Sequence, residues 1–197
     1  MLANENQDLL TNMNSYPFLN NKTKPIFTDS LSSITPRIRS ERLIDISHSP
    51  LVPAKDLREK IRILHQAGEL DGGLPIVRHG VLVGLIPAPD LEFALDSLPD
   101  EEDALCLMFD LPHHDDGEED VATSGGGTED PTDFTPYIDP APVALEVKSA
   151  MDLVYECFAK LGLRYICVVK EGQFAGLLHR KVFVKYVREL EERERGE

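Results

Sequence analysis

Residues 162–181 read GLRYICVVKEGQFAGLLHRK, and residues 148–161, just before them, read KSAMDLVYECFAKL. In the upstream piece Met151, Val154, Cys157, Phe158 and Leu161 recur at helical spacing, and Gly162 stands where a left-handed residue would end that helix. YICVV is apolar and β-branched, Glu171 and Gly172 supply a tight turn, and QFAGLLH makes a second strand around the small Gly176. VALEV, residues 143–147, supplies a strand in front, and RKVFVKYVRELEERE reads as a closing helix that grows more polar toward its end. The order is therefore β-α-β-β-α. No serine or cysteine within it sits in a nucleophile motif.

The stretch from Leu43 to Leu98 follows the same plan. LIDISHSPLV begins as a short strand, PAKDLREKIRILHQA is amphipathic with Pro53 at its start, and LPIVRHGVLVGLI is a hairpin turning at Arg78, His79 and Gly80. PAPDLEFALDSL opens a further helix. LPIVRHGVLVGLI and YICVVKEGQFAGLL match in apolar pattern, in turn position and in the glycine of the second strand, Gly84 or Gly176. The expected fold is α/β of the α+β type, with two β-α-β-β-α repeats packed as a pseudo-twofold pair. A unit of about 50 residues rarely holds a core alone, so one helix face of each repeat is expected to lie on the other repeat.

Composition narrows the function. Of 197 residues 42% are apolar, enough for a core, and the net charge is −15. Between Asp96 and Asp139 there are fifteen Asp and Glu and no Lys or Arg, so the rest of the chain is near neutral and offers no basic footprint for nucleic acid. Cys106, Cys157 and Cys167 have no zinc-like or CxxC spacing and read as reduced thiols, with Cys157 and Cys167 expected in the core. There is no secretory leader pattern and no run of eighteen apolar residues. His113 and His114 beside Asp115 and Asp116 lie in a charged, Gly-rich tract that reads as a solvated tether, not a metal site, and Gly125–Gly127 lack the flanks of a phosphate loop.

The repeat plan resembles the CBS (cystathionine β-synthase) domain, which occurs in pairs. More narrowly, NSYPFL at residues 14–19, DFTPYIDPAPVALEVKSAMDLVYECFAKLGLRYICVV at 133–169 and the acidic stretch between the repeats resemble the cytoplasmic C-terminal region of a eukaryotic, fungal-like CLC chloride channel or chloride/proton exchanger. That resemblance implies a lead-in running toward a membrane domain over 1–39, repeat 1 over 40–96, an acidic and disordered linker over 97–132 with the apolar island ALCLMF able to dock, and repeat 2 over 133–197. It further implies a non-catalytic regulatory role. The partners would be the transmembrane domain of the same transporter and a second copy, on the cytoplasmic side of an intracellular membrane such as Golgi, endosome or vacuole.

Some CBS pairs hold ATP or AMP between the repeats, with residues before a hairpin contacting the base and an Asp at the start of a helix accepting the ribose hydroxyls. In this sequence the corresponding positions are Asp71, Gly72 and Gly73 in repeat 1 and Val182 in repeat 2. Val182 has no side-chain acceptor, and Asp71 adds negative charge near a polyanion, so nucleotide binding is expected to be weak or absent. The pseudo-symmetric site offers Asp90 as the ribose-type group, with Leu163, Arg164 and Tyr165 before the second hairpin. Asp90 also suits the first turn of a helix for electrostatic reasons alone. No cofactor or metal is expected.

Overall fold

The computed structural model describes residues 25–69, 72–109 and 132–196, with side chains to Arg193. Its elements are β1 (Ile44–Asp45), β2 (Leu51–Pro53), α1 (Ala54–Ala67), β3 (Gly73–Arg78), β4 (Val81–Pro87), α2 (Ala88–Asp96), β5 (Leu105–Leu107), β6 (Thr132–Asp133), β7 (Ala144–Glu146), α3 (Met151–Ala159), β8 (Tyr165–Lys170), β9 (Gln173–His179) and α4 (Arg180–Gly196). Helix α1 buries Leu57, Ile61 and Leu64 along one stripe and ends at Gly68, whose φ of 66° only glycine adopts cheaply.

Both repeats build the same sheet. β1 runs parallel to β3, which pairs antiparallel with β4, and β7, β8 and β9 reproduce that order. The hairpins turn on paired left-handed residues, His79 and Gly80 in one and Glu171 and Gly172 in the other. Such a two-residue turn follows the strand twist. The register of each hairpin shifts at equivalent places, between Ile76 and Val77 and between Val168 and Val169, just ahead of the pairings with Gly84 and Gly176.

Two boundaries differ from the sequence-based expectation. The island after α2 forms β5, which pairs antiparallel with β2, while Cys106 and Met108 are buried with the first repeat. Residues 97–109 thus belong to repeat 1, because the buried Cys106 and Met108, with Leu98, Ala104 and Phe109 packed beside them, and a strand edge outweigh the charge around them. The remainder of the expected linker, with His113, His114, Asp115 and Asp116, lies outside the described residues. Likewise Phe134, assigned to repeat 2, is 1% exposed in the first core, beside Tyr137 and Ile138.

The N-terminal lead-in does the converse. Leu31 is fully buried in the second core with Phe27 and Ile34 against it, its N–H donates to the Ser149 carbonyl, and Tyr186 donates to Asp29 at 2.8 Å. Each lead-in therefore packs on the repeat it does not introduce. The two hairpin glycines make this possible, since a Cβ on Gly84 would lie 2.8 Å from Ile138 and one on Gly176 would lie 2.8 Å from the Pro36 carbonyl oxygen. Gly176→Val should consequently expel the lead-in, costing about 1–3 kcal/mol and speeding tryptic cleavage after Arg37 and Arg39. Gly172→Asn, in open space with a φ that Asn accepts, is the control; equal cleavage of both variants would refute the clamp.

The repeats meet sheet to sheet. Val77, Leu85, Cys167 and Phe174 form one buried cluster, with Leu43, Leu82, Tyr165 and Leu177 around it. This corrects the expectation of helix-to-repeat contact. Alternation along β8 explains it: Ile166 and Val168 face the second core, while Tyr165 and Cys167 point into the seam. Helices cover one face of YICVV and the other repeat covers the opposite one.

Burial pushes the Cys106 thiol up to about 11 and the Cys167 thiol up to about 12, and it raises Cys157 as well. Unfolded thiols release their protons near 9.0 and the folded ones do not until higher pH, so in that window the unfolded state holds fewer protons. The thiols' contribution is complete below pH 9 and is lost as pH climbs toward the folded values. Denaturant midpoints should fall as pH rises from about 9 toward about 12, and maleimide labelling should track unfolding. Rapid labelling of all three thiols in the native chain would contradict this packing.

Candidate functional site

Two hydrogen bonds fix the equivalence of the repeats at their crevices. The Ala88 N–H donates to the Gly72 carbonyl at 3.0 Å, and the Arg180 N–H donates to the Arg164 carbonyl at 2.8 Å. Gly72 thus corresponds to Arg164, and two residues into each helix Asp90 corresponds to Val182. The sequence alignment of these positions is reproduced in space.

The first crevice, about 500 Å³, is lined by Gly72 and Gly73 from repeat 1 and by Gly176, His179, Lys181 and Val182 from repeat 2. The degenerate positions Gly72 and Val182 therefore share one cavity; Asp71 lies outside the described residues. Three arginines of the lead-in, Arg37, Arg39 and Arg42, line the same space. Arg42 pairs with Glu69, and the Lys181 ammonium reaches the Gly68 carbonyl at 3.4 Å. Val182 puts a half-exposed methyl pair where a carboxylate would meet a ribose.

The pseudo-symmetric set of residues has the opposite character. Asp90 and Arg164 are exposed, and Tyr165 is half-buried. Burial raises the Tyr165 phenol, with Asp139 and Asp90 adding to the shift and Arg164 opposing it, so these groups share one electrostatic neighbourhood. Asp139 arrives there because its backbone bridges Leu85 through hydrogen bonds of 2.8 and 2.9 Å. Leu163 does not join them; its side chain packs on the second core. Tyr137 lies against Phe93 with ring centroids 6.3 Å apart at this end.

The first crevice gathers Arg37, Arg39, Arg42 and Lys181 with one carboxylate, Glu69, that is already paired to Arg42, and Val182 at its ribose-type position has no side-chain acceptor; the other set holds the carboxylates Asp90 and Asp139 beside Arg164. Sequence reasoning missed Arg37, Arg39 and Arg42, although RIRSER at 37–42 was visible. Those residues precede the repeat they serve, and a repeat-by-repeat reading places them outside both. Among the described residues no group of three His, Cys, Asp or Glu is arranged to hold a metal, and no helix is long and apolar enough to cross a membrane.

No protein-family model and no curated protein matches the chain. Solved structures do. The chain is similar to the CBS-pair protein CBSX2 from Arabidopsis thaliana at 14% identity and a TM-score of 0.52, over 83% of this chain and 97% of that one. CBSX2 in complex with AMP gives 13% identity and a TM-score of 0.51 over 83% and 98% of the two chains. The CBS domain pair of protein MJ0100, in complex with 5-methylthioadenosine and S-adenosyl-L-methionine, gives 15% identity and a TM-score of 0.50 over 82% and 97%. At such identities the likeness concerns architecture: the chain has the fold of a CBS-domain pair.

Proposed function

We propose that this CBS-type pair is the non-catalytic regulatory and assembly module of a voltage-gated chloride channel or chloride/proton exchanger, acting on gating, trafficking or dimer assembly. The observation that supports it most is the path of the lead-in. Phe27, Leu31 and Ile34 are packed in the second core, Pro36 crosses Gly176, and Arg42 is ion-paired to Glu69 of the first repeat. A displacement applied to the chain ahead of the pair is thereby delivered to both repeats at once. The resemblance of NSYPFL and of the lead-in to repeat 2 supplies the transporter context. In this reading the partners are the transmembrane domain of the same transporter and a second copy, at the cytoplasmic face of a Golgi, endosomal or vacuolar membrane.

The test begins with the coding region ahead of Met1, which should specify apolar helices of about 20 residues. Chloride flux from vesicles carrying that longer chain should change in rate or voltage dependence when Gly176→Val loosens the lead-in. A longer chain without such helices, or flux that equals that of the natural chain both in Gly176→Val and in a chain lacking residues 25–196, would overturn the proposal.

A second reading is an adenine-nucleotide sensor. It is favoured by the cation-lined first crevice and by the AMP, 5-methylthioadenosine and S-adenosyl-L-methionine complexes of similarly folded pairs. Val182 at the ribose position weighs against it.

A further inference from the structure

We propose that the outer face of α4 is a binding site for multiply charged phosphate groups, recognised by charge and not by any attached nucleoside. A concavity of about 640 Å³ lies there, lined by Arg164, Arg180, Lys181, Val184, Lys185 and Arg188. Positions 180, 181, 184, 185 and 188 recur on one helical face, so α4 itself gathers four cations around the apolar Val184. Arg164 comes from the segment before β8, held beside α4 by the Arg180 N–H to its carbonyl at 2.8 Å.

Several cations on other surfaces have carboxylate partners: Arg42 with Glu69, Arg58 with Asp96 and Glu101, Arg62 with Glu59 and Lys160 with Glu156. Among the described residues Arg164, Arg180 and Arg188 have no acidic group within ion-pair distance, and Lys185 reaches Glu189 only at 3.7 Å. In a chain with 35 acidic residues against 20 basic ones, a groove of unanswered guanidiniums repels itself until an anion enters. Planar guanidinium forks match phosphate oxygens two at a time, and several converging forks suit a di- or triphosphate better than a single carboxylate. His179 and Lys181 line this groove and the first crevice alike, so the positive surface is continuous with the inter-repeat cavity. The site does not depend on the transporter reading, because it rests on α4 and the Arg164 segment beside it.

The shared chemistry is a polyphosphate anion, and its source can be a soluble molecule or a phosphorylated lipid headgroup. Calorimetric titration of the whole chain with pyrophosphate and tripolyphosphate should show binding that weakens as salt is raised. The double variant Arg180→Ala, Arg188→Ala should lose about tenfold or more in affinity, since two charge-assisted contacts go. Arg62→Ala with Lys160→Ala, which removes two cations from other surfaces, should change nothing. Arg188, Arg62 and Lys160 are exposed and Arg180 is half-buried, and melting curves verify that both doubles fold; Arg180→Lys with Arg188→Lys should recover part of the affinity. Flotation with phosphatidylcholine vesicles, with and without a few mole per cent of phosphatidylinositol bisphosphate, separates the sources. Binding of tripolyphosphate together with the phosphorylated vesicles supports a headgroup, and binding of tripolyphosphate alone supports a soluble anion. Absence of both, or binding lost in Arg37→Ala with Arg39→Ala but retained in the α4 double, would overturn the assignment.

Discussion

Val168→Asp should leave the second repeat unable to fold, and Cys167→Asp, one residue away, should separate the two repeats. Both side chains are fully buried, but on opposite faces of β8. Val168 lies in the second core with Val154, Phe158, Ile166 and Phe183, whereas Cys167 lies in the seam with Val77, Leu85 and Phe174. A carboxylate forced into either place has no cation or donor to meet it, and burial without a partner costs several kcal/mol against a total stability of about 5–15 kcal/mol. Val168→Asp should abolish the near-ultraviolet signal of the Phe27, Tyr155, Phe158 and Phe183 cluster. Cys167→Asp should instead keep much of that signal while the chain elutes as a larger, looser species. Leu161→Asp, at a position 66% exposed, should melt like the natural chain. Unchanged melting of Val168→Asp would show that β8 is not central to the fold.

The repeat was legible because its signals are local. Turn chemistry at His79-Gly80 and Glu171-Gly172, helical spacing in α1 and α3, and a glycine opposite each register shift are all readable within a few residues. What crosses between repeats was not legible in the same way. Phe134 and Leu31 are apolar residues in Pro- and Ser-rich stretches, and only the other repeat, distant in sequence, gives them a core. Cys106 and Met108 were hidden by their acidic surroundings, although the apolar run itself was visible. The same locality explains the site. Asp90 and Val182 follow from alignment of the repeats, while the arginines of the first crevice and of the α4 groove come together only when residues 37–42, 164 and 180–188 share one side of the molecule.

The natural chain should show no measurable AMP binding, and it should bind ATP no more tightly than tripolyphosphate. The physical reason is the division of labour between the first crevice and the pseudo-symmetric set of residues. Arg37, Arg39 and Lys181 line the first, so phosphates are attracted there, but Val182 cannot accept the ribose hydroxyls that would hold a nucleoside in register. A charge-assisted hydrogen bond is worth about 1.5–3 kcal/mol, and association first costs about 4–15 kcal/mol in lost freedom. AMP, with one phosphate and no ribose acceptor, falls short of that cost. Val182→Asp alone should recover little, because the new carboxylate also repels the phosphates it sits beside. Asp71→Tyr combined with Val182→Asp should recover measurable binding of both AMP and ATP, since it removes one negative charge, adds a ring for the base and restores the ribose acceptor. Calorimetry with ATP against tripolyphosphate separates this from simple charge attraction, because both carry three phosphates and only the nucleoside differs. Micromolar AMP binding by the natural chain would defeat the expectation. It would move attention to the pseudo-symmetric set, where Asp90 would take the ribose and Arg164 the phosphate, and Asp90→Ala should then abolish the binding that Val182→Asp leaves untouched.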